Sequence, residues 1–146
     1  MEGKMQPGRN AARRLFEDVL SHGLTEILDE ICTPGFRLHE AEAGGGEVEG
    51  IDGLRRVVNG YRAAIPDLEF IIQDQFGDGD RIATRWLARG THRGQLMGVA
   101  PTGRRVQAGG ITISRLEGDR LAENWVFWDI PGLMRQLKDQ TSPSRR

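Results

Sequence analysis

The chain is expected to fold as an α+β protein, on three observations. Helical spacing of apolar residues dominates the first 64 positions. Alternation with a period of two dominates residues 68–129, broken by tight-turn signals such as "GDGD" and "EGD". The helices precede the strands instead of alternating with them, which argues for segregated layers and a mostly antiparallel sheet. A strongly bent antiparallel sheet closed by three N-terminal helices makes a cone-shaped α+β barrel, and such a cone holds a hydrophobic pocket at its open end.

Each element has a local reason. Residues 10–21 place Leu15, Val19 and His22 on one stripe with Phe16 and Leu20 beside it. Asn10 is the expected N-cap and Gly23 the stop. Residues 25–31 form a second short helix, which Pro34 and Gly35 should end, and "FRLHE" follows as a short strand. "AGGGEVEG", residues 43–50, reads as a flexible loop. Its glycines do not follow an apolar strand in a phosphate-binding pattern. Asp52 is the expected cap of a third helix, residues 53–64, with Leu54, Val57, Val58 and Tyr61 on its apolar stripe. Pro66 forbids continuation.

Strands are expected at residues 68–76, 81–92, 104–116 and 120–129, with a closing helix over residues 131–139. The Asp-Gly steps of "GDGD" supply the positive φ of a tight hairpin. Gly109 and Gly110 mark an expected bulge or bend in the third of these strands. "GQLMGVAPTG" is a loop with a buried Leu96-Met97 plug.

Composition bounds the function. At 146 residues the chain fits one domain, residues 10–138, between flexible tails at 1–9 and 139–146. A chain this size buries roughly 68–70% of its unfolded surface, enough for a core and a small cavity. Lys and Arg total 20 against 21 Asp and Glu, a net charge of −1, without the basic excess of a nucleic-acid binder. The single cysteine, Cys32, allows no internal disulfide and reads as a small buried hydrophobe. No apolar run approaches the roughly 18 residues of a membrane span, and no signal-like segment opens the chain. A soluble cytoplasmic protein is expected. Three histidines without clustering make no metal site.

Four stretches, "GIDGLRRVVNGYRAAIPDLEF", "GDRIATRWLARGTHRGQLMGVAPTGRRV", "ISRLEGDRLAENWVFWD" and "GLMRQL", resemble the SnoaL-like polyketide cyclases. That family lies within the nuclear transport factor 2-like superfamily, with ketosteroid isomerase and limonene epoxide hydrolase. The resemblance covers about residues 10–138, and "GTHRG…MGVAPTGRRV" is its most specific part. It implies the cone-shaped barrel, a hydrophobic small-molecule substrate, no metal or organic cofactor, and a homodimer joined through the convex side of the sheet. It does not fix the reaction.

The departure from the family pattern matters as much as the match. Anthracycline cyclases use an aspartate on the last strand, supported by a histidine on the strand before. Those positions fall on Val126 and Thr112, and neither side chain can carry the proton. The Asp/His aldol mechanism therefore does not transfer. By parity Asn124, Val126 and Trp128 face the pocket, while Glu123, Trp125 and Phe127 face outward.

Candidate acid–base residues are Asp129, His39 and His92. Asp129 beside aromatic walls would be poorly solvated, with a raised pKa; equally, it can cap the helix beginning at Ile130. His92 can carry a proton near neutrality or satisfy backbone groups at a strand end. His39 lies near the expected mouth, but it cannot pair with Glu40, since adjacent strand residues point to opposite faces. Arg85 and Arg115 could stabilise an enolate, or form a structural salt bridge with Glu123. The expected substrate-contacting set is Trp128, Asn124, Val126, Thr112, Tyr61, Arg85, Trp86 and Met97. The expected activity is cofactor-free cyclisation or isomerisation of a polyketide-like carbonyl compound. The alternatives are a non-catalytic small-molecule-binding dimer, and a hydroxylase or epoxide hydrolase relative.

Overall fold

The computed structural model describes residues 8–40 and 46–138. Helix α1 runs Arg9–Arg14 and continues as a wider π-helical turn, Leu15–Leu20. The turn buries Leu15, Phe16 and Val19. Ser21 pins it to the sheet, donating to the Phe16 carbonyl at 2.7 Å and accepting from the Phe70 amide at 2.8 Å. The expected loose segment 1–9 is corrected at its end, and Asn10 is not the cap. Arg9 already starts the helix, and the Gly8 carbonyl accepts from the Ala12 amide at 3.0 Å. Residues 1–7 and 139–146 lie outside the described residues.

After a 3₁₀ turn, Thr25–Ile27, and the one-turn helix α2, Leu28–Ile31, the chain enters strand β1, Cys32–Glu40. This strand is longer than the "FRLHE" segment expected. Pro34 and Gly35 sit inside it, where the pairing slips between Cys32 and Arg37, so the missing proline N–H breaks no regular ladder. Burial of Cys32 pushes its thiol up to about 12, which leaves it protonated and inert.

Strand β2, Gly46–Glu49, replaces the second half of the expected loop and pairs antiparallel with β1. Residues 43–45 lie outside the described residues. Helix α3 spans Gly50–Ala64, starting three residues before the expected Gly53, with Glu49 at the N-cap position. Asp52 lies inside the first turn and pairs with Arg55 at 2.6 Å.

Strands β3 (Glu69–Asp78), β4 (Arg81–Thr91), β5 (Arg105–Glu117) and β6 (Arg120–Trp128) form the meander, and α4 (Ile130–Lys138) closes the chain. Gly79 takes φ +60° as the first residue of the two-residue β3–β4 turn, a geometry glycine adopts at no steric cost. The sheet order is β2-β1-β6-β5-β4-β3. The β1–β6 junction is parallel and the other pairings are antiparallel.

The expected bulge at Gly109-Gly110 is absent: Leu87, Trp86 and Trp128 pair with these residues in regular register. Gly110 is needed for space. A Cβ there would stand 2.5 Å from the Trp86 ring and 2.6 Å from the Trp128 Cβ.

The core is split. One cluster joins α1, α2 and α3 to β1 and includes Val19, Leu28, Phe36 and Val58. The other sits under α4 and the β4–β5 loop and includes Ile65, Leu96, Val106 and Leu133. Among the described residues no helix is long and apolar enough to cross a membrane.

Candidate active site

Between the two clusters lies a cavity of about 110 Å³. Its walls come from every layer: Phe16 from the π turn, Val57 and Tyr61 from α3, Phe70 from β3, Trp86 from β4 and Leu133 from α4. The aromatic rings brace one another. Phe70 lies 5.7 Å from Phe16 and 4.9 Å from Trp86, and Tyr61 meets Trp128 edge-on at 6.4 Å. Such tilted and edge-on contacts suit the ring quadrupole. The paired Ala88 and Ala108 keep the opposing wall low.

The inward-facing residues of three strands form one row. Thr112 of β5 pairs with Val126 of β6. On the other side β1 runs parallel to β6, with Leu38 opposite Asn124 and His39 opposite Trp125. The next residues along, Glu40 and Val126, therefore stand at the same level, and Thr112, Val126 and Glu40 all line the cavity. Thr112 Oγ1 accepts from the Trp86 indole N–H at 3.0 Å, which holds that ring as a wall.

Glu40 is the carboxylic acid of this lining. Burial pushes its pKa above the ordinary 4.5, and hydrogen bonds from Trp128 and Tyr61 offset part of that rise. The Tyr61 hydroxyl lies 3.5 Å from Glu40 Oε2, at the long limit of a hydrogen bond. Burial first, and then the Glu40 charge, raise the Tyr61 phenol, so it stays a donor. Asn124 also lines the cavity, and its Oδ1 is buried with no hydrogen-bond partner among the described residues; the same holds for Oγ of Ser114, which pairs with it across β5 and β6 but lies outside the lining.

Six of the residues expected to touch substrate line this cavity: Trp128, Asn124, Val126, Thr112, Tyr61 and Trp86. Two do not. Arg85 lies on the outer face, paired with Asp74 at 2.8 Å and Gln73 at 3.1 Å, because its strand parity is opposite to that of Trp86. Met97 takes φ +50° in the β4–β5 loop and packs onto the α4 cluster, leaving Leu96 to face the cavity.

The three candidate acid–base residues are not brought together. His39 points outward, its Nε2 donating to Glu123 Oε2 at 2.6 Å and its ring stacked 5.4 Å from Trp125. Arg115 binds the other Glu123 oxygen at 3.0 Å, the structural pairing weighed for it. Asp129 is exposed and caps α4, its Oδ1 accepting from the Gly132 amide at 2.9 Å. His92 is fully buried at the end of β4 and outside the cavity lining. Its Nδ1 accepts from the Thr102 amide at 3.2 Å, and its Nε2 has no partner among the described residues.

Glu40 is a cavity-lining acid that the sequence points to only as a neighbour of His39. The signal was present: Phe36, Leu38 and Glu40 alternate along one strand face, and an acid ending an apolar series is out of place. Its neighbour His39 shares the strand but not the face.

Comparison with known proteins agrees with this architecture. The family model described as SnoaL-like polyketide cyclase matches residues 10–137. A proposed polyketide cyclase from Acidithiobacillus ferrooxidans superposes with a TM-score of 0.83 at 28% identity, covering 94% of this chain and 98% of that one. IdmH, a proposed polyketide cyclase from Streptomyces antibioticus, superposes at 0.79 with 30% identity, covering 90% and 99%. TsrD from Streptomyces laurentii gives 0.78 at 27% identity, covering 92% and 98%. No curated protein matches the chain.

Proposed function

The chain belongs to the SnoaL-like polyketide cyclase family, and from that premise we propose that it is a cofactor-independent enzyme of secondary metabolism. In this reading it binds a hydrophobic, polyketide-like carbonyl compound and promotes its cyclisation or isomerisation. The observation that carries the proposal is the aromatic-walled cavity enclosed between sheet and helices. A flexible chain confined there loses most of its open conformers before reaction. Well-oriented intramolecular reactions gain about 7–11 kcal/mol from such positioning. The apolar walls exclude water and strengthen each remaining polar contact. Asn124, whose Oδ1 has no partner among the described residues, is placed to take a hydrogen bond from a substrate hydroxyl.

The Asp/His aldol pair has no part in this mechanism, because Val126 and Thr112 stand at those positions and Thr112 already binds Trp86. The same substitution favours a second reading, a binding protein without turnover. An assay separates the two. Pure protein is incubated with linear polyenes and poly-β-ketones, and products are read by chromatography and mass spectrometry. Ring closure faster than in buffer supports the enzyme. Ligand that binds and is recovered unchanged across the panel supports the binding protein.

The family resemblance also suggests a dimer through the outer sheet face. Phe127 and Phe76 are 54% and 64% exposed there in the single chain, more apolar surface than a lone sheet face usually presents. Sedimentation of the wild type as a dimer and of Phe127→Glu as a monomer would support this surface; a monomeric wild type would refute it.

A further inference from the structure

Resting on the reading of the cavity as a cyclase site, we infer that Glu40 is its proton-transferring residue, standing on β1 level with Val126 and beside Tyr61 and Trp128. The geometry carries this. Val126 and Glu40 occupy adjacent strands at one level, and both face the cavity. A carboxylate moved one strand over therefore reaches nearly the same point in space as one on β6, since paired strands lie about 4.8 Å apart. Of the other titratable groups lining the cavity, Arg89 is held by Glu69 at 3.2 Å, and Tyr61 is a donor. Burial sets the carboxyl above its ordinary range, toward the neutral pH at which an acid–base catalyst works best.

The step balances without a co-reactant. The Glu40 carboxylate takes a proton from the carbon next to a ketone. The C–H electron pair becomes the C=C bond of an enolate, and the negative charge moves to the carbonyl oxygen. Tyr61 and Trp128, which hydrogen-bond Glu40 in the free protein, are the donors at hand for that oxygen. The enolate carbon attacks a second carbonyl of the same molecule, forming the ring C–C bond. The proton on Glu40 passes to the new alkoxide, so the product is an isomer of the substrate and the carboxylate is restored.

The test uses β-tetralone in deuterated buffer, following exchange of its α-hydrogens by proton NMR, with binding read by quenching of tryptophan fluorescence. Wild-type protein is expected to speed exchange, with a rate that rises with pH as Glu40 ionises. Glu40→Gln should lose about 100-fold or more of that rate while still binding. Glu40→Asp should recover part of it. In parallel, a carbon-13 NMR titration of the wild-type glutamates should show one carboxyl titrating above the ordinary range and missing from Glu40→Gln. Exchange unchanged in Glu40→Gln, or Glu40 titrating at its ordinary value, overturns the assignment and leaves the cavity reading intact. Ring closure of a polyketone at the same rate in Glu40→Gln as in the wild type does the same. Loss of binding, exchange and ring closure in the wild type sinks the cavity reading, and this inference with it.

Discussion

Gly110 shows how strictly single positions shape the cavity. The Trp86 ring and the Trp128 Cβ leave no room for a methyl group, so Gly110→Ala is expected to cost about 1–3 kcal/mol, the usual penalty of overpacking. Thermal denaturation measures it, and an unchanged melting temperature would mean the rings are free to move. Asp129 works by a different mechanism. As the cap of α4 it should cost about 1 kcal/mol when replaced by Ala, with turnover per folded molecule unchanged, a separation that denaturation and rate assays read together. Glu40 adds a pH signature. Its raised pKa means the folded state holds the proton more tightly than the unfolded chain, so its stabilising contribution is complete below about 4.5 and fades as pH rises through the raised value. Glu40→Gln should remove that fading from a series of melting temperatures. At this scale parity reasoning placed Asn124, Val126 and Trp128 on the inner face. It could not place Asp129, which stands where the strand ends and a helix cap begins, nor separate the roles of His39 and Glu40 without knowing which strand β1 joins.

On the outer sheet face, three elements meet in the chain His39–Glu123–Arg115, linking β1, β6 and β5. The His39 hydrogen bond, then Arg115, hold the Glu123 carboxyl below the ordinary range. The sign is opposite to that of Glu40: this contribution is present above about 4.5 and is lost as pH falls through the depressed value. Glu123→Gln should therefore lower the melting temperature at neutral pH and flatten its fall in acid; equal acid sensitivity in the variant would show that the network contributes nothing. The helices and the β3–β6 meander were legible because periodicity and turn chemistry agree there, as at Gly79. Strands β1 and β2 were less so. Pro34 and Gly35 look like a helix stop, yet they sit in a slipped stretch of pairing that only the distant β6 creates. Strand β2 owes its structure to the edge of β1 and carries no strong apolar pattern of its own.

Across the whole molecule, the sheet and helices bury two separate clusters and leave an apolar space between them, instead of one continuous core. The α+β order of elements announced a cone, but no periodicity could say that its interior was open. That depends on facing small residues, Ala88 and Ala108, and on rings propped apart by one another and by the Trp86–Thr112 hydrogen bond. Filling the space is the most direct probe of its purpose. A ligand that binds only the folded protein raises its stability by RT ln(1 + [L]/Kd), close to 2.7 kcal/mol at about 100 times Kd. The decisive measurement is the melting temperature of wild type and Ala108→Phe with and without a hydrophobic polyketone. A rise in the wild type that is absent from the filled variant is the expected result; no rise in the wild type, or the same rise in both, would contradict a chamber built to hold a guest.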